Sequence, residues 1–414
     1  MKNNPNFQAL LSIVCLFSGG IILLRGCHFA NNYESANVTI QPANNQQLVN
    51  STSKTKASPK RVNPKAAMEV QPKLDEAKAE YLTNTAKFLA GIQVENSPLA
   101  KFQQSDTWRS HQQFFNNAWT KLEVRQLEKV RNWSQQELNQ INATSPSLFY
   151  PFSGPDFLYA YSLFPKSEKY VLVGLEPVGI LPNLSNLSES QRNLKLQEVR
   201  SSLYAILQFS FFMTNDMKVD LRNQGVLPIL YVFLARTQNR IINFQYIGLD
   251  KNADIQQYKK GMIPGVKIDF VAKGEERSRT LYYFSNDLSN YGLERKPEFS
   301  RFITNLGKKV TYLKAASYLM YNGGFSNMRE QILAESSHIL QDDSGMPLTA
   351  FNRSKWNLKF YGSYISPIGL FANRYQPSLR KIYRNNKSIE PLDFGIGYKY
   401  EATNSNLMLA EVMN

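Results

Sequence analysis

The stretch His338-Ile-Leu-Gln-Asp342-Asp343-Ser344-Gly345 sets an imidazole four residues from two adjacent carboxylates. Proton transfer is the chemistry that such a set can perform. His338 is one of three histidines in the chain, so this grouping is singular as well as dense. Asp343-Ser344-Gly345 copies the tripeptide on which aspartic proteases present a carboxylate. Those enzymes need two such aspartates sharing a proton. This chain carries the tripeptide once and continues with Met346-Pro347 where small polar residues belong, which disfavours a protease of that class. As metal ligands, His338 and Asp342 at i, i+4 would share a helical face, yet a third ligand is missing and hard cations need more oxygens. No metal and no cofactor is expected. The structural alternative is a helix ending near Leu340 and a turn at Gly345, with Asp342 and Asp343 solvated or bound to backbone amides.

A second candidate is Tyr150-Pro-Phe152-Ser153-Gly-Pro-Asp156-Phe157, the start of the densest aromatic stretch. Phe157, Tyr161 and Phe164 at i, i+4 and i+7 predict a short helix that stops before Pro165, with Asp156 as its N-cap. The alternative role for Asp156 is chemical: with Ser153 it would line a pocket roofed by Tyr150, Phe152 and Tyr159. A third candidate, Arg380-Lys381-Ile-Tyr383-Arg384, spaces two arginines one helical turn apart. That face would hold a phosphate, a lipid headgroup or an acidic sugar, or else remain a solvated basic helix. No nucleic-acid fold signature accompanies it, and DNA or RNA is not an expected partner.

These residues need elements to position them. Trp108, Phe115, Trp119, Leu122 and Val130 recur at helical spacing and predict one face of a long amphipathic helix. Ser134 and Glu137 read as a capping box with Trp133 and Leu138 as its staple, and Ser188 with Gln191 reads as another. Farther on the period becomes two: Val266, Ile268 and Phe270, then Thr280 to Phe284 across a charged loop, predict a hairpin. Trp356, Leu358 and Phe360 alternate, as do Phe394, Ile396, Tyr398 and Tyr400, and the apolar run Tyr170 to Leu175 predicts a central strand. Helices precede and interrupt these strands without regular βαβ alternation, so the expected class is α+β, N-terminal helices followed by a mixed sheet with packed helices.

Length and composition set the frame. The 414 residues are 43% hydrophobic, enough for a sizeable core, and a formal charge of +15 favours acidic partners. Phe7–Leu24 is an apolar run of 18 residues behind Lys2, the reading being a signal peptide or membrane anchor over residues 1–27. Leu24-Arg25-Gly26-Cys27 resembles a bacterial lipoprotein cleavage box, with Arg25 where a small residue belongs. Lipidation of Cys27 and a retained helix both remain open, and both place the body outside the cytoplasm, anchored to a membrane of the cell envelope or periplasm. Residues 28–73 are rich in Asn, Gln, Ser, Thr, Pro and Lys and read as a disordered basic tether. The globular α+β domain is expected over 74–414, with a helical subdomain over 74–145. Cys15 and Cys27 are the only cysteines, so the body holds no thiolate zinc site, disulfide or cysteine nucleophile.

Gly-x-Gly-x-x-Gly after a strand, a phosphate-binding Gly-Lys-Ser/Thr, Gly-x-Ser-x-Gly and His-Glu-x-x-His are all absent, which disfavours the common nucleotide-binding, hydrolase and zinc-protease classes. Tyr150–Pro165, Tyr170–Gly179 and Gln341–Pro347 resemble stretches of uncharacterised bacterial exported proteins, a resemblance that implies no activity. Two functions follow. The first is a membrane-tethered, non-catalytic binding or assembly component of the cell envelope, its partner an anionic glycan, a lipid or an envelope protein. The second is an envelope hydrolase built on Asp342, Asp343 and His338, with Asp156.

Overall fold

Ten strands join in one mixed sheet with the order β4-β3-β5-β6-β2-β1-β7-β8-β10-β9. The structure, a computed structural model, describes residues 74–212 and 225–413. Residues 1–73 lie outside them, and with them the expected anchor, the tether and Cys27. In chain order the strands are β1 (Ser147–Tyr150), β2 (Lys169–Gly174), β3 (Arg240–Leu249), β4 (Ile255–Gln257), β5 (Ile263–Val271), β6 (Ser278–Ser285), β7 (Lys309–Leu313), β8 (Ser336–Gln341), β9 (Trp356–Gly362) and β10 (Asn406–Val412). The helices are α1 (Glu76–Leu89), α2 (Asp106–Leu122), α3 (Glu128–Glu137), α4 (Asn139–Thr144), α5 (Phe157–Leu163), α6 (Glu189–Phe209), α7 (Leu227–Arg236), α8 (Asn290–Arg295), α9 (Pro297–Asn305), α10 (Ser326–Glu335) and α11 (Pro377–Asn385). The fold is α+β, with five parallel strands, β6-β2-β1-β7-β8, at its centre and antiparallel strands on both flanks.

Both faces of the parallel core are covered, and for that reason its strands are apolar on both sides. Along β2, Tyr170 and Leu172 enter one core together with Leu148, Tyr150, Val310 and Tyr312. Val171 and Val173 enter the other with Phe149, Leu313 and Ile339. The first core takes in Leu82 of α1, Trp108 and Phe115 of α2, Val130 of α3 and Leu230 of α7, so residues 74–145 share a core with the sheet. The second is closed by Leu293 of α8, Phe299 and Phe302 of α9 and Met328 of α10.

Several local expectations hold for the reasons that suggested them. Ser188 and Gln191 form a reciprocal capping box at the start of α6. The β5–β6 hairpin pairs Val266 with Tyr283 and Ile268 with Leu281. Trp108, Phe115, Leu122 and Val130 are buried along α2 and α3, which a π turn at Glu123–Leu127 joins, while Trp119 is partly buried.

Three local expectations are corrected. No helix starts at Ser134: α3 runs through it from α2, its amides are already satisfied, and its hydroxyl donates instead to the Leu163 carbonyl at 2.5 Å. Phe394 to Tyr400 is not a strand; it is a looped segment whose one β-like contact is the Ile396–Lys399 bridge. The expected helix ending near Leu340 is strand β8, paired with β7 on one side and β10 on the other. A short apolar run carries no length cue, and sheet pairing on both edges decided its form.

A candidate acid–base cluster at the ends of the parallel strands

From β1 the sheet extends through β2 to one side and through β7 to the other, so the loops leaving the carboxyl ends of β1 and β7 turn apart. Open sheets with parallel cores place their ligand crevices at such a switch point. Three loops deliver charged residues there. Asp156 follows β1, Lys314 follows β7 directly, and Asp342 and Asp343 follow β8 directly.

Lys314 is the centre of the arrangement. Its Nζ lies 2.5 Å from Asp156 Oδ2, donates to the Ser210 carbonyl at 2.8 Å, and stands 3.8 Å from the centroid of the Tyr159 ring. Asp156 is the expected N-cap of α5, its Oδ1 accepting from the Tyr159 amide at 3.2 Å. Its Oδ2 also accepts from the Tyr150 hydroxyl at 2.9 Å. Asp156 therefore caps α5 with one oxygen and meets Tyr150 and Lys314 with the other.

Asp342 turns one oxygen to the Ser344 amide at 2.9 Å and to the Ser344 hydroxyl. Asp343 is held by three donors: Tyr318 Oη at 3.0 Å, Asn406 Nδ2 at 3.1 Å and Lys399 Nζ at 3.2 Å. None of Asp156, Asp342, Asp343, Lys314 and Lys399 is more than 6% exposed. Among the described residues three carboxylates stand against two ammonium groups in this buried site, an imbalance that is costly unless a proton removes it.

Burial is the first cause of the titration shifts in the cluster. Burial, and then the neighbouring Asp343, push the Asp342 carboxyl up to about 7, against the opposing pull of the Ser344 donors and Lys314. Burial pushes the Lys314 ammonium down, while Asp156 and Asp342 oppose the shift. Asp342 therefore changes its proton in the neutral range, where a general acid or base is most effective. Tyr312 Oη, buried on the same face of β7 as Lys314, has no hydrogen-bond partner among the described residues, and its hydroxyl is raised by burial and by Asp156 and Asp342. A buried hydroxyl left unpaired beside two carboxyls is the kind of exception that functional sites retain.

Backbone strain is also present at this place, at three of the six non-glycine residues with positive φ among the described residues. Phe152 (φ 59°), Ser210 (φ 63°) and Ala315 (φ 58°) adopt left-handed conformations, and they stand in the loop before Asp156, at the Lys314 acceptor and directly after Lys314. Each costs roughly 1–3 kcal/mol and persists where surrounding contacts over-determine it.

The structure separates other residues from this cluster. His338 lies within β8, and four residues of strand extend about 13 Å, so it does not join Asp342. Its ring meets Ser337 Oγ at 3.1 Å and faces Glu411 Oε1 at 3.6 Å across the sheet. Ser153 is occupied by backbone: its hydroxyl accepts from the Val173 amide at 3.0 Å. Tyr150 and Tyr159 do surround Asp156, whereas Phe152 turns away to the Phe325 ring. On α11, Arg380 donates to the Tyr364 carbonyl at 3.0 Å and Tyr383 to the carbonyls of Tyr361 and Leu407, while Lys381 and Arg384 are exposed.

Lys314, Lys399 and Tyr312 escaped the sequence reading. The one available signal was Lys309-Val-Thr-Tyr-Leu-Lys314, an alternating run that ends on a lysine. Among the described residues no group of three or more histidine, cysteine, aspartate or glutamate side chains is arranged to hold a metal ion. No family model, curated protein or solved structure matches the chain, so the reading of the cluster rests on its own geometry.

Proposed function

We propose that the chain is a membrane-tethered, extracytoplasmic hydrolase of the cell envelope that works by general acid–base catalysis. The observation that carries this reading is the convergence of Asp156, Asp342 and Asp343, from two separate strand ends, on Lys314 and Lys399 at the switch point of the sheet. In this reading Asp342 moves the proton, since its carboxyl is pushed up to about 7. Lys314 and Asp156 set the local field, and Tyr312 offers the reacting group a hydroxyl that no described residue engages. The address rests on Phe7–Leu24 and on the basic tether.

The reaction class is tested by incubating the purified full chain in detergent with envelope polymers and following soluble fragments by mass spectrometry. Asp342→Asn should lower fragment release by about 10²–10⁴-fold, the usual contribution of a positioned acid or base. Release by Asp342→Asn equal to that of the unaltered chain counts against the reading.

A second reading, a non-catalytic component that binds an anionic glycan or lipid, is favoured by one observation: Lys381 and Arg384 are both exposed on α11. Salt-sensitive binding to anionic vesicles, lost in Lys381→Glu/Arg384→Glu with no fragment release by the unaltered chain, would favour it.

A further inference from the structure

The cluster is closed over by a segment that belongs to neither the sheet nor a helix. Phe394 and Ile396, 1% and 0% exposed, root the segment from Asp393 to Tyr400 in the first core. Beyond them Gly397, Tyr398 and Lys399 fold back through the Ile396–Lys399 bridge and lie against the carboxylates. Gly397 takes a left-handed φ of 57°, and a Cβ at that position would stand 2.2 Å from Asp342 Oδ2 and 3.1 Å from Lys314 Cγ. Only glycine lets backbone approach a charged cluster this closely without strain.

The tip is held by polar contacts and rings that reach the cluster itself. Ser210, whose carbonyl accepts from Lys314, donates its hydroxyl to the Gly397 carbonyl at 3.1 Å. Lys399 pairs with Asp343 at 3.2 Å and lies over the Tyr364 ring at 4.7 Å. Tyr398, half-buried, stacks on Tyr318, the residue that donates to Asp343. Lys129 holds the Asp393 carbonyl at 2.9 Å, and Gln126, which accepts from the Tyr159 hydroxyl at 2.8 Å, holds the Gly395 carbonyl, so the root has anchors of its own beside those of the tip.

We infer that Gly397-Tyr398-Lys399 is the gate of the cluster, hinged at Gly397 and latched by Lys399 on Asp343, so that a ligand reaches Asp342 and Lys314 by displacing it. A gate of this kind draws on the low-stability end of a fold, where local opening precedes global unfolding. The inference rests on the cluster being a working site, yet it concerns access alone and is tested without any turnover.

Strand β7 supplies the control. Lys309 and Lys314 stand at or beside its two ends, 1% and 3% exposed, and each is paired with a carboxylate, Lys309 with Glu335 at 2.9 Å. The full chain in detergent is treated with acetic anhydride, and acetylation of both lysines is followed by mass spectrometry. In the unaltered chain both should react slowly. In Lys399→Met, and in Lys399→Met/Asp343→Asn, which leaves no carboxylate alone, Lys314 should react about tenfold faster or more while Lys309 keeps its rate. Gly397→Ala, which forces a methyl group against Asp342, should shift Lys314 in the same direction. An unchanged Lys314 rate in all three variants overturns the gate. A parallel rise at Lys309 overturns it too, because it shows general loosening of the domain.

Discussion

Replacing Asp156 by asparagine separates the cap from the charge. Asparagine caps a helix about as well as aspartate, so the start of α5 loses little. What disappears is the carboxylate 2.5 Å from Lys314 Nζ, in a pair whose side chains are both 2% exposed. Leaving one member of a buried pair alone costs about 3–5 kcal/mol. Lys314 has a second way out: it can lose its proton, at ~1.4 kcal/mol for each pH unit between its free value near 10.4 and the solution, or about 4–5 kcal/mol at pH 7. The two routes agree, and the Ser210 carbonyl, the Tyr159 ring and the Asp342 carboxyl that remain around Nζ favour the lower end.

The route through deprotonation also fixes a sign. A lysine neutral in the fold and charged in the unfolded chain means that the unfolded chain binds more protons, so stability of the variant rises with pH. Relative to the unaltered chain, Asp156→Asn should recover ~1.4 kcal/mol per pH unit above 7 until about pH 10. Asp156→Ala should cost about 1 kcal/mol more, for the lost cap. Asp156→Asn/Lys314→Met, which removes both charges, should regain most of the loss. Urea unfolding of the four proteins at pH 7 and pH 9 measures all of this. A deficit under about 1 kcal/mol at pH 7, or one that does not shrink at pH 9, would refute the assignment of Lys314 as a charge dependent on Asp156.

Asp342 carries the opposite pH dependence. Its carboxyl is pushed up to about 7, so the fold keeps a proton that the unfolded chain releases near pH 4, and its contribution to stability is lost as pH rises between those values. Asp342→Asn should remove that slope, on the order of 3–4 kcal/mol across the window, and denaturation at pH 4, 5.5 and 7 would show it. His338→Gln should leave fragment release untouched and cost less than about 1 kcal/mol, because its partner Glu411 lies 3.6 Å away and is 58% exposed. Ser188→Ala should lower stability by about 1 kcal/mol through loss of the capping box on α6, and Ser188→Asn should restore it, both read by thermal unfolding.

What the sequence disclosed was local. Asp156 as a cap, the Ser188 box, the β5–β6 hairpin and the apolar β2 each depend on neighbours in the chain, and each is present. The Asp342–Asp343 pair was legible as a candidate because two carboxylates stand together. Its real partners were not, since Lys314 and Lys399 arrive from β7 and from the segment after Phe394, and a single lysine has no spacing to betray it. His338 was misplaced for a related reason: a helical period of four was read into residues that two flanking strands hold extended. Ser134 shows the reverse error, a true capping pattern that falls inside a helix already under way.

The central claim, that the carboxylates gathered around Lys314 form a working acid–base site, is tested most directly by the pH dependence of envelope-fragment release in the unaltered chain and in Asp342→Asn. The account predicts a rate governed by a group titrating near 7, and loss of about a hundredfold or more of that rate in a variant that remains folded by circular dichroism. Fragment release by folded Asp342→Asn at the unaltered rate and with the same pH profile would contradict it.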